Sequence, residues 1–418
     1  MIAAPARKVK VHEMDYPRLR YMQASAAERD GSRVLLSDPL HLAKGPLVMP
    51  AVTYFIISHF DGQHSLVDIQ EAYARQFGQV LERDKIDDLI AQLDQHHYLD
   101  SERFRREVLE AFWQAPVRDM AHADTCYSSD PEEFSRQAAT LFAQHGAPES
   151  SATPSRAPVR GLIAPHIDLR FGGPCYARAY KELAERCDAD LFVLFGTSHY
   201  SMNPQHLFIG TEKDYNTPLG PAKTDGEFMR ALQRNYSGDL FAEEIVHKVE
   251  HSLEFQALFL QYVFGGKREF TIAPILVSSF HHSVLSHTSP LEDERIGNFV
   301  RALKETIAQS GRKVCLVAGV DFAHVGQQFG DNGAMTRETI NWVEAEDRRL
   351  VQALEKVDAQ DFFGEIAKNG DKRRVCGFSS MYTFLNVVEA NRGHLLRYGC
   401  ATDMYPESLV SFASLVFE

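Results

Sequence analysis

Three apolar segments of the sequence are each followed at once by a histidine. The segment GLIAP leads into His166, with Asp168 two residues later. The segment LFVLFGTS leads into His199, and LVAGV leads into Asp321 and His324. If these segments are parallel strands, their carboxyl ends meet at one edge of the sheet, where open α/β proteins form their sites. Histidines scattered over a surface would not follow this rule, so the pattern predicts one shared functional site.

Two predicted helix starts carry further reactive side chains. The segment KVEHSLEFQALFLQYV brings Glu250, His251 and Glu254 to the beginning of an apolar helix. The helix dipole alone explains glutamates at this place, but it does not explain a histidine there. The segment RRVCGFSS puts Cys376 before another apolar helix, where a thiol tends toward the thiolate. A buried, inert cysteine is the alternative.

These residue types suit two kinds of chemistry. A Cys-His hydrolase would use Cys376 as its nucleophile and a histidine as its base. A metal centre would instead use two imidazoles and one anionic ligand, with positions left open for a substrate or oxygen. Neutral imidazoles and a thiolate suit Fe(II), Zn(II) or copper far better than Mg or Ca. The other histidines would then act as acid or base groups. The residues alone leave both hypotheses open.

The elements that must position these side chains indicate an α/β domain. After Pro158, short apolar runs alternate with longer helical stretches, which predicts a mostly parallel sheet flanked by helices. The apolar runs are VRGLIAP, LFVLFGT, HLFIGT, FTIAPILV and VCLVAGV, and the helical stretches cover 175–187, 225–235, 251–263, 291–309 and 337–357.

The N-terminal part predicts a separate small α+β domain, roughly a winged helix. Extended segments come first and amphipathic helices follow, with Ser65 placed to cap one of them. Residues 51–100 hold nine acidic and three basic side chains, which argues against DNA binding. We expect an N-terminal domain over 1–105, a helical linker over 106–117 and an α/β metal-binding domain over 118–418.

The composition excludes several classes of protein. The 418 residues carry a net charge of −13, so the basic surface of a nucleic-acid-binding protein is absent overall. No apolar run approaches the ~18 residues of a membrane span. The basic N-terminus lacks the apolar stretch of a signal peptide, and the six cysteines show no CxxC spacing. We therefore expect a cytoplasmic protein with reduced thiols and with neither a membrane nor a nucleic-acid partner.

The sequence also resembles the Memo-like family, which includes AmmeMemoRadiSam system protein B. The similarity runs from about Arg118 to Glu418, and its motifs follow the order of the family. They are APHIDLRFGG, FGTSHY, VEHSLEF, GVDFAHVGQQFG, VCG and YGCATDMYPESLVSFASLVF. The resemblance implies a fold related to class III extradiol dioxygenases, which use non-haem Fe(II).

The same resemblance implies roles for individual residues. The family's metal ligands match His166, His199 and Cys376, and its other pocket residues match His251, Asp321 and His324. Many members continue the APH motif with Ala-Gly-Tyr, whereas this chain continues with Ile-Asp-Leu.

That departure puts Asp168 near the presumed metal, where it would orient a ligand histidine, contact the substrate or replace a ligand. Arg170 could hold an anionic group of the substrate. Two N-terminal stretches, FIISHFDGQHSLVDIQEAYARQFG and IDDLIAQLDQHHYL, more weakly resemble PqqD-like peptide-binding domains. That similarity implies a peptide or protein partner added as a strand at a sheet edge.

We expect a mononuclear non-haem iron-dependent oxidoreductase, dioxygenase-like, that acts on a small-molecule or peptide substrate of phenolic or peptide-derived character. The expected cofactor is Fe(II), with copper or zinc as the other candidate metals. Catalysis would depend on His251, Asp321 and His324, and substrate binding on Asp168 and Arg170. One alternative is a non-catalytic copper- or iron-binding redox or interaction protein. Another is a metal-free hydrolase or transferase that depends on Cys376.

Overall fold

A computed structural model of the chain describes residues 15–28, 30–147, 157–201 and 203–418. The chain divides into two units, Met1–Ala115 and Pro116–Glu418. The first fourteen residues, in which we expected no signal peptide, lie outside the described part of the chain.

The N-terminal unit combines a small antiparallel sheet with helices. Its strands are β1 (Gln23–Ala26), β2 (Arg33–Ser37) and β3 (Leu47–Pro50), in the spatial order β1-β2-β3. Its helices are α1 (Ala51–Ile57), α2 (Leu66–Phe77), α3 (Arg83–Gln95) and α4 (Glu102–Phe104), which continues through a π-helical turn (Arg105–Glu110) into α5 (Ala111–Gln114). Within the described residues, β1 pairs with β2 only. Strand addition by a peptide at this unit stays a prediction.

Helix α2 shows how local sequence determines an element of this unit. Ser65 accepts a hydrogen bond from the amide of Asp68, and the Asp68 carboxylate accepts one from the amide of Ser65, which completes a capping box. Gly78 ends the helix at a φ of 66°, a left-handed conformation that glycine adopts without strain. The predicted cap at Ser65 is confirmed.

The second unit is built on one eight-stranded sheet. Its strands are β5 (Gly161–Ala164), β6 (Leu191–Thr197), β7 (Phe208–Gly210), β9 (Thr271–Val277), β10 (Val314–Gly319), β11 (His324–Gly326), β12 (Gly393–Ala401) and β13 (Ser408–Phe417). Their order is β11-β13-β5-β10-β6-β9-β7, with β12 paired to β13. Two short strands, β4 (Val117–Arg118) and β8 (Asp214–Tyr215), form a separate parallel pair.

The prediction of a mostly parallel sheet is wrong, because the sheet is mixed. Strands β5, β10, β6 and β9 pair in parallel at the centre. The C-terminal hairpin β12–β13 adds to β5 in the antiparallel sense, and the short strands β11 and β7 are antiparallel to their neighbours. Apolar runs locate buried strands but do not encode their direction. The antiparallel direction of the edge strand in HLFIGT therefore could not be predicted.

Helices cover both faces of this sheet. They are α6 (Pro131–His145), α7 (Leu169–Arg186), α8 (Gly226–Asn235), α9 (Glu254–Phe264), α10 (His281–Ser286), α11 (Glu294–Ser310), α12 (Arg337–Glu355), α13 (Ala359–Ala367) and α14 (Phe378–Val387). Helices α7 and α9 contact each other and the sheet, and α6 packs on α7. Leu316 and Ala318 of β10 instead share a hydrophobic cluster with α11 to α14. Because strand side chains alternate, the odd-numbered residues of β10 face the opposite layer.

None of the described helices is both long enough and apolar enough to span a membrane. The six cysteines are free thiols, as predicted.

Candidate metal centre

Three potential ligand atoms converge at the carboxyl ends of the central strands. One atom each from His166, His199 and Cys376 lies within 4.8 Å of the other two. His166 comes two residues after β5, His199 comes two residues after β6, and Cys376 directly precedes Gly377, the N-cap of α14. The strand-end pattern predicted that His166 and His199 lie at one edge of the sheet, and the fold adds Cys376 from 210 positions beyond His166.

Hydrogen bonds orient both histidine rings. Nδ1 of His166 lies 3.0 Å from the carbonyl oxygen of Gly319, and Nδ1 of His199 lies 3.0 Å from Oε1 of Glu250. Donation from Nδ1 leaves Nε2 of each ring with its lone pair free for a metal. Nε2 of His166 points at the Cys376 sulfur, 3.4 Å away.

The chemistry of this donor set fits a transition metal. Burial lowers the pKa of His166 to about 3, so its ring is neutral, as a ligand must be. Burial works against a charge on His199, but the Glu250 carboxylate outweighs it and raises that pKa. Burial and the Asp321 carboxylate raise the pKa of Cys376 well above its ordinary value. The thiol would therefore give up its proton only to a cation that binds the sulfur.

Glu250 is the hydrogen-bond acceptor that orients His199 in the centre. Its side chain is fully buried, and its Oε2 accepts a 2.8 Å hydrogen bond from the backbone amide of His199. Its Oε1 accepts from the amide of Ser252 and lies 3.3 Å from Nδ1 of His251. Burial raises the pKa of Glu250, but the two histidines and the hydrogen bonds outweigh it, so the net shift is downward.

His251 and Asp321 both lie beside the converging ligand atoms. The His251 ring stacks on His199 with centroids 4.9 Å apart and meets His166 edge-on at 5.1 Å. Oδ1 of Asp321 accepts from the backbone amide of His166, and its Oδ2 lies 3.5 Å from His166 Nε2. Burial raises the pKa of Asp321 to about 6.

His324 begins β11 and lies close enough to Asp321 and His199 for their charges to shift its pKa, which burial lowers. Its Nδ1 lies 3.2 Å from the carbonyl oxygen of Phe322, and its ring meets Phe329 edge-on at 5.0 Å. All six residues that the family resemblance assigned to the metal and its pocket therefore lie at one edge of the sheet.

Small residues allow the segment that carries Glu250 and His251 to cross the strands. Gly196 and Gly319 are neighbours in register on β6 and β10. A Cβ on Gly196 would lie 2.5 Å from the Ser252 hydroxyl, and one on Gly319 would meet the Ser252 carbonyl oxygen. These two glycines thus let the chain before α9 lie directly on the sheet, at the edge where the ligands emerge.

Asp168 and Arg170 are engaged with each other. Oδ1 of Asp168 caps α7 by accepting from the Arg170 amide, and both carboxylate oxygens bind the guanidinium, at 3.0 and 2.6 Å. Among the described residues, Asp168 is absent from the group of converging ligand atoms. The Arg170 side chain is 71% exposed, so it can reach a solute, and its role in substrate binding stays a prediction.

Two features of the site were not among the predicted site residues. Glu250 was explained by the helix dipole, yet it precedes α9 and binds His199 instead. A second buried carboxylate, Glu254, pairs with Arg118 and accepts hydrogen bonds from Tyr127 and from the amide of His122. The sequence signal was an acid next to His251 for Glu250, and an acid three residues after His251 for Glu254.

The His122 ring reaches the centre from this second network. It meets His251 edge-on, with centroids 5.5 Å apart, and its Nε2 lies 2.8 Å from the carbonyl oxygen of Val249. The segment that begins at Arg118 therefore packs against His251 through the His122 ring.

This chain is similar to known proteins over most of its length. A family model described as "Memo-like protein" matches residues 118–416. A MEMO1 family protein of Aquifex aeolicus is 26% identical over 93% of this chain and 96% of its own length, so the similarity extends into the N-terminal unit. A MEMO1 family protein of Methanopyrus kandleri is 26% identical over 72% of this chain and 98% of its own length. The chain belongs to the Memo-like protein family.

Proposed function

We propose that this protein binds one transition-metal ion through His166, His199 and Cys376, and that its iron form is an oxidoreductase. The observation that carries the proposal is the convergence of these three ligand atoms within 4.8 Å. Three protein ligands leave a tetrahedral ion with a vacant position, which is typical of catalytic rather than structural sites. The side chains of His199 and His251 are 30% and 26% exposed, so a substrate can approach from their side.

The residues around the ligands would bind and orient the substrate and move its protons. A bound Fe(II) would supply redox chemistry and Lewis acidity. His251, with Nδ1 turned toward Glu250, has Nε2 left to accept a proton from a substrate hydroxyl. Asp321 Oδ2 can hold a proton on the His166 side. A phenolic or peptide-derived substrate would supply such a hydroxyl, with Arg170 available for an anionic group.

Metal analysis of the full-length protein purified without oxygen tests the proposal first. We expect about one iron per chain in the wild type after reconstitution with Fe(II). His166→Ala and Cys376→Ala should each lose it, because each removes one of three ligands. Cys400→Ala is the matched control, since Cys400 is a partly buried thiol on β12 and should leave metal binding unchanged. A chain that holds no metal after reconstitution with Fe(II) or Cu(I) would refute the proposal.

Oxygen consumption by the reconstituted protein then separates catalysis from storage. An enzyme should consume O2 with catechols or modified peptides in its iron form, and His251→Ala should slow that reaction by about 10²–10⁴-fold while leaving iron bound. The thiol ligand also suits the soft ion Cu(I), which favours a copper-binding redox protein as the second candidate. Tight Cu(I) binding without O2 consumption would support that function instead.

A further inference from the structure

An ion pair joins the two chain segments that carry His324 and Cys376. Arg374 lies two residues before Cys376, and Asp331 lies five residues after the end of β11, the strand that His324 begins. Nη2 and Nη1 of Arg374 donate to the two carboxylate oxygens of Asp331, at 2.6 and 3.0 Å. The two planar groups therefore form a bidentate pair, which is more specific in geometry than a single contact between charges.

Further hydrogen bonds connect this ion pair to the backbone of the site. Nη1 of Arg374 also donates to the carbonyl oxygen of His324, at 3.3 Å. Oδ2 of Asp331 accepts a 2.8 Å hydrogen bond from the amide of Gly326, the last residue of β11. An isolated ion pair at the surface contributes little, whereas a bidentate pair within a network of this kind can hold a fixed geometry.

The backbone around Arg374 is joined to the site as well. The His324 amide donates to the carbonyl oxygen of Arg373, at 2.6 Å. Beyond Arg374, the Cys376 thiol donates to the carbonyl oxygen of Asp321, at 3.7 Å. Arg374 itself has a φ of 51°, a left-handed conformation that residues with a Cβ rarely adopt. Such a conformation persists only where its surroundings hold it, so the ion pair and these hydrogen bonds fix the segment together.

We infer that Arg374 is a positioning residue that, with Asp331, keeps the Cys376 sulfur within reach of an ion bound by the two histidine ligands; this role rests on the proposed function. Among the described residues, the hydrogen bonds of the Arg374 guanidinium go to Asp331 and to backbone carbonyl oxygens. Arg374 therefore acts through the segment that leads to Cys376. Loss of the pair frees the thiol side of the centre and leaves the histidines in place, because they follow the buried strands β5 and β6.

Substitution of Arg374 in the full-length protein, with Co(II) as the probe, tests this role. Arg374→Gln removes the charge and the bidentate pair. We expect the dissociation constant of Co(II) to rise about tenfold, the lower end of the effect of residues that support a metal ligand, because Arg374 acts on the segment and not on the sulfur. At saturating Co(II), the thiolate-to-metal charge-transfer band should lose intensity while the ion stays bound, since the sulfur is held less firmly.

Three other variants separate positioning from a general loss of stability. Arg230→Gln is the matched control, because Arg230 on α8 forms a 2.6 Å ion pair with Glu212 that is also partly exposed. It should leave both the affinity and the spectrum unchanged. Arg374→Lys keeps the charge without the planar guanidinium and should recover part of the affinity. Adding Asp331→Asn to Arg374→Gln should weaken binding no further, because both changes break the same pair.

Alkylation of Cys376 in the metal-free protein measures the same positioning without a metal. The Cys376 thiol is partly buried. Arg374→Gln should let iodoacetamide modify this thiol several times faster, because the segment that carries it is released, and Arg230→Gln should not. The mass of the peptide that contains Cys376 gives the rate of modification.

The two measurements distinguish a failure of the inference from a failure of the proposed function. A wild-type protein that binds no Co(II) would refute the metal site and leave the alkylation rates to decide whether Arg374 positions Cys376. If the wild type binds Co(II), an unchanged affinity and band intensity in Arg374→Gln would overturn the inference. Equal effects of Arg374→Gln and Arg230→Gln, or an alkylation rate that Arg374→Gln leaves unchanged, would overturn it too.

Discussion

Glu250 orients His199 from a fully buried position, and Glu250→Gln should weaken metal binding by about 10–100-fold. Glutamine has the same shape, so the change tests charge and hydrogen bonding rather than volume. Every contact that the structure gives the Glu250 carboxylate comes from a nitrogen donor: the ring and amide of His199, the amide of Ser252 and the ring of His251. A glutamine NH2 group would face one of these donors in either orientation.

The expected loss of metal affinity follows from the hydrogen bond that a glutamine NH2 group cannot accept. An unsatisfied buried donor costs about 1–3 kcal/mol, and a tenfold change in affinity corresponds to about 1.4 kcal/mol. The loss of the carboxylate also removes the charge that makes the His199 ring more basic, and a less basic imidazole is a weaker ligand. Both effects weaken binding, so we expect a loss of about 1.4–2.7 kcal/mol of metal-binding free energy.

Competition with a chromophoric chelator under anaerobic conditions measures the dissociation constant of Fe(II) for the wild type and each variant. Glu182→Gln is the matched control, because Glu182 is a buried carboxylate paired with Arg178 and Arg186 on α7 and has no contact with the ligands. Glu182→Gln should lower the free energy of unfolding and leave the dissociation constant of Fe(II) within twofold of the wild-type value. An unchanged affinity in Glu250→Gln, or an equal loss in both variants, would refute the orienting role of Glu250.

Four further predictions concern the stability of the fold. Gly196→Ala should lower the free energy of unfolding by about 1–3 kcal/mol, because the new methyl group would lie 2.5 Å from a serine hydroxyl. Gly364→Ala, within α13 and with no atom within 4 Å of the new Cβ, should raise it by about 1 kcal/mol. Arg373→Met should cost about 3–5 kcal/mol because it leaves Asp347 buried and unpaired, and adding Asp347→Leu should recover part of that loss. The ion pair of Glu254 with Arg118 is the main influence that keeps the Glu254 pKa below its ordinary 4.5 despite burial, so its contribution to stability is present above pH 4.5 and is lost as the pH falls. Glu254→Gln should therefore lower stability at pH 7 and flatten its decline in acid.

Urea denaturation provides the measurement for all of these variants, at pH 7 and, for Glu254→Gln, across a pH series. Equal unfolding free energies for the two glycine variants would contradict the packing argument at Gly196. A double variant no more stable than Arg373→Met would show that the unpaired charge of Asp347 is not the source of the loss. An acid decline as steep in Glu254→Gln as in the wild type would assign that decline to other carboxylates.

Most of the site's residues were predictable because they follow buried strands. Apolar runs such as LFVLFGT coincide with β6, and a strand that is buried on both faces needs a continuous run of this kind. The residue after such a run must lie at a strand end, so His199 and His166 could be placed without coordinates. Cys376 was found from its position before a predicted helix, which left an inert cysteine, a hydrolase nucleophile and a metal ligand open, and the family motifs implied the metal ligand.

The direction of the outer strands could not be predicted, because an apolar run looks the same in either direction. The role of Glu250 could not be predicted either, because an acidic residue before a helix interacts favourably with the helix dipole whichever way its side chain points. Only the close approach of the chain to Gly196 and Gly319 turns this carboxylate toward His199.

The amino-acid sequence by itself determined the family, the α/β class and the set of histidines at the strand ends, because burial and strand periodicity are local properties of the chain. The tertiary structure alone decided which carboxylate holds which histidine, and it alone paired Arg118 with Glu254 from positions 136 residues apart. Such pairings depend on strand order and on the packing of helices against the sheet, and no local pattern records them.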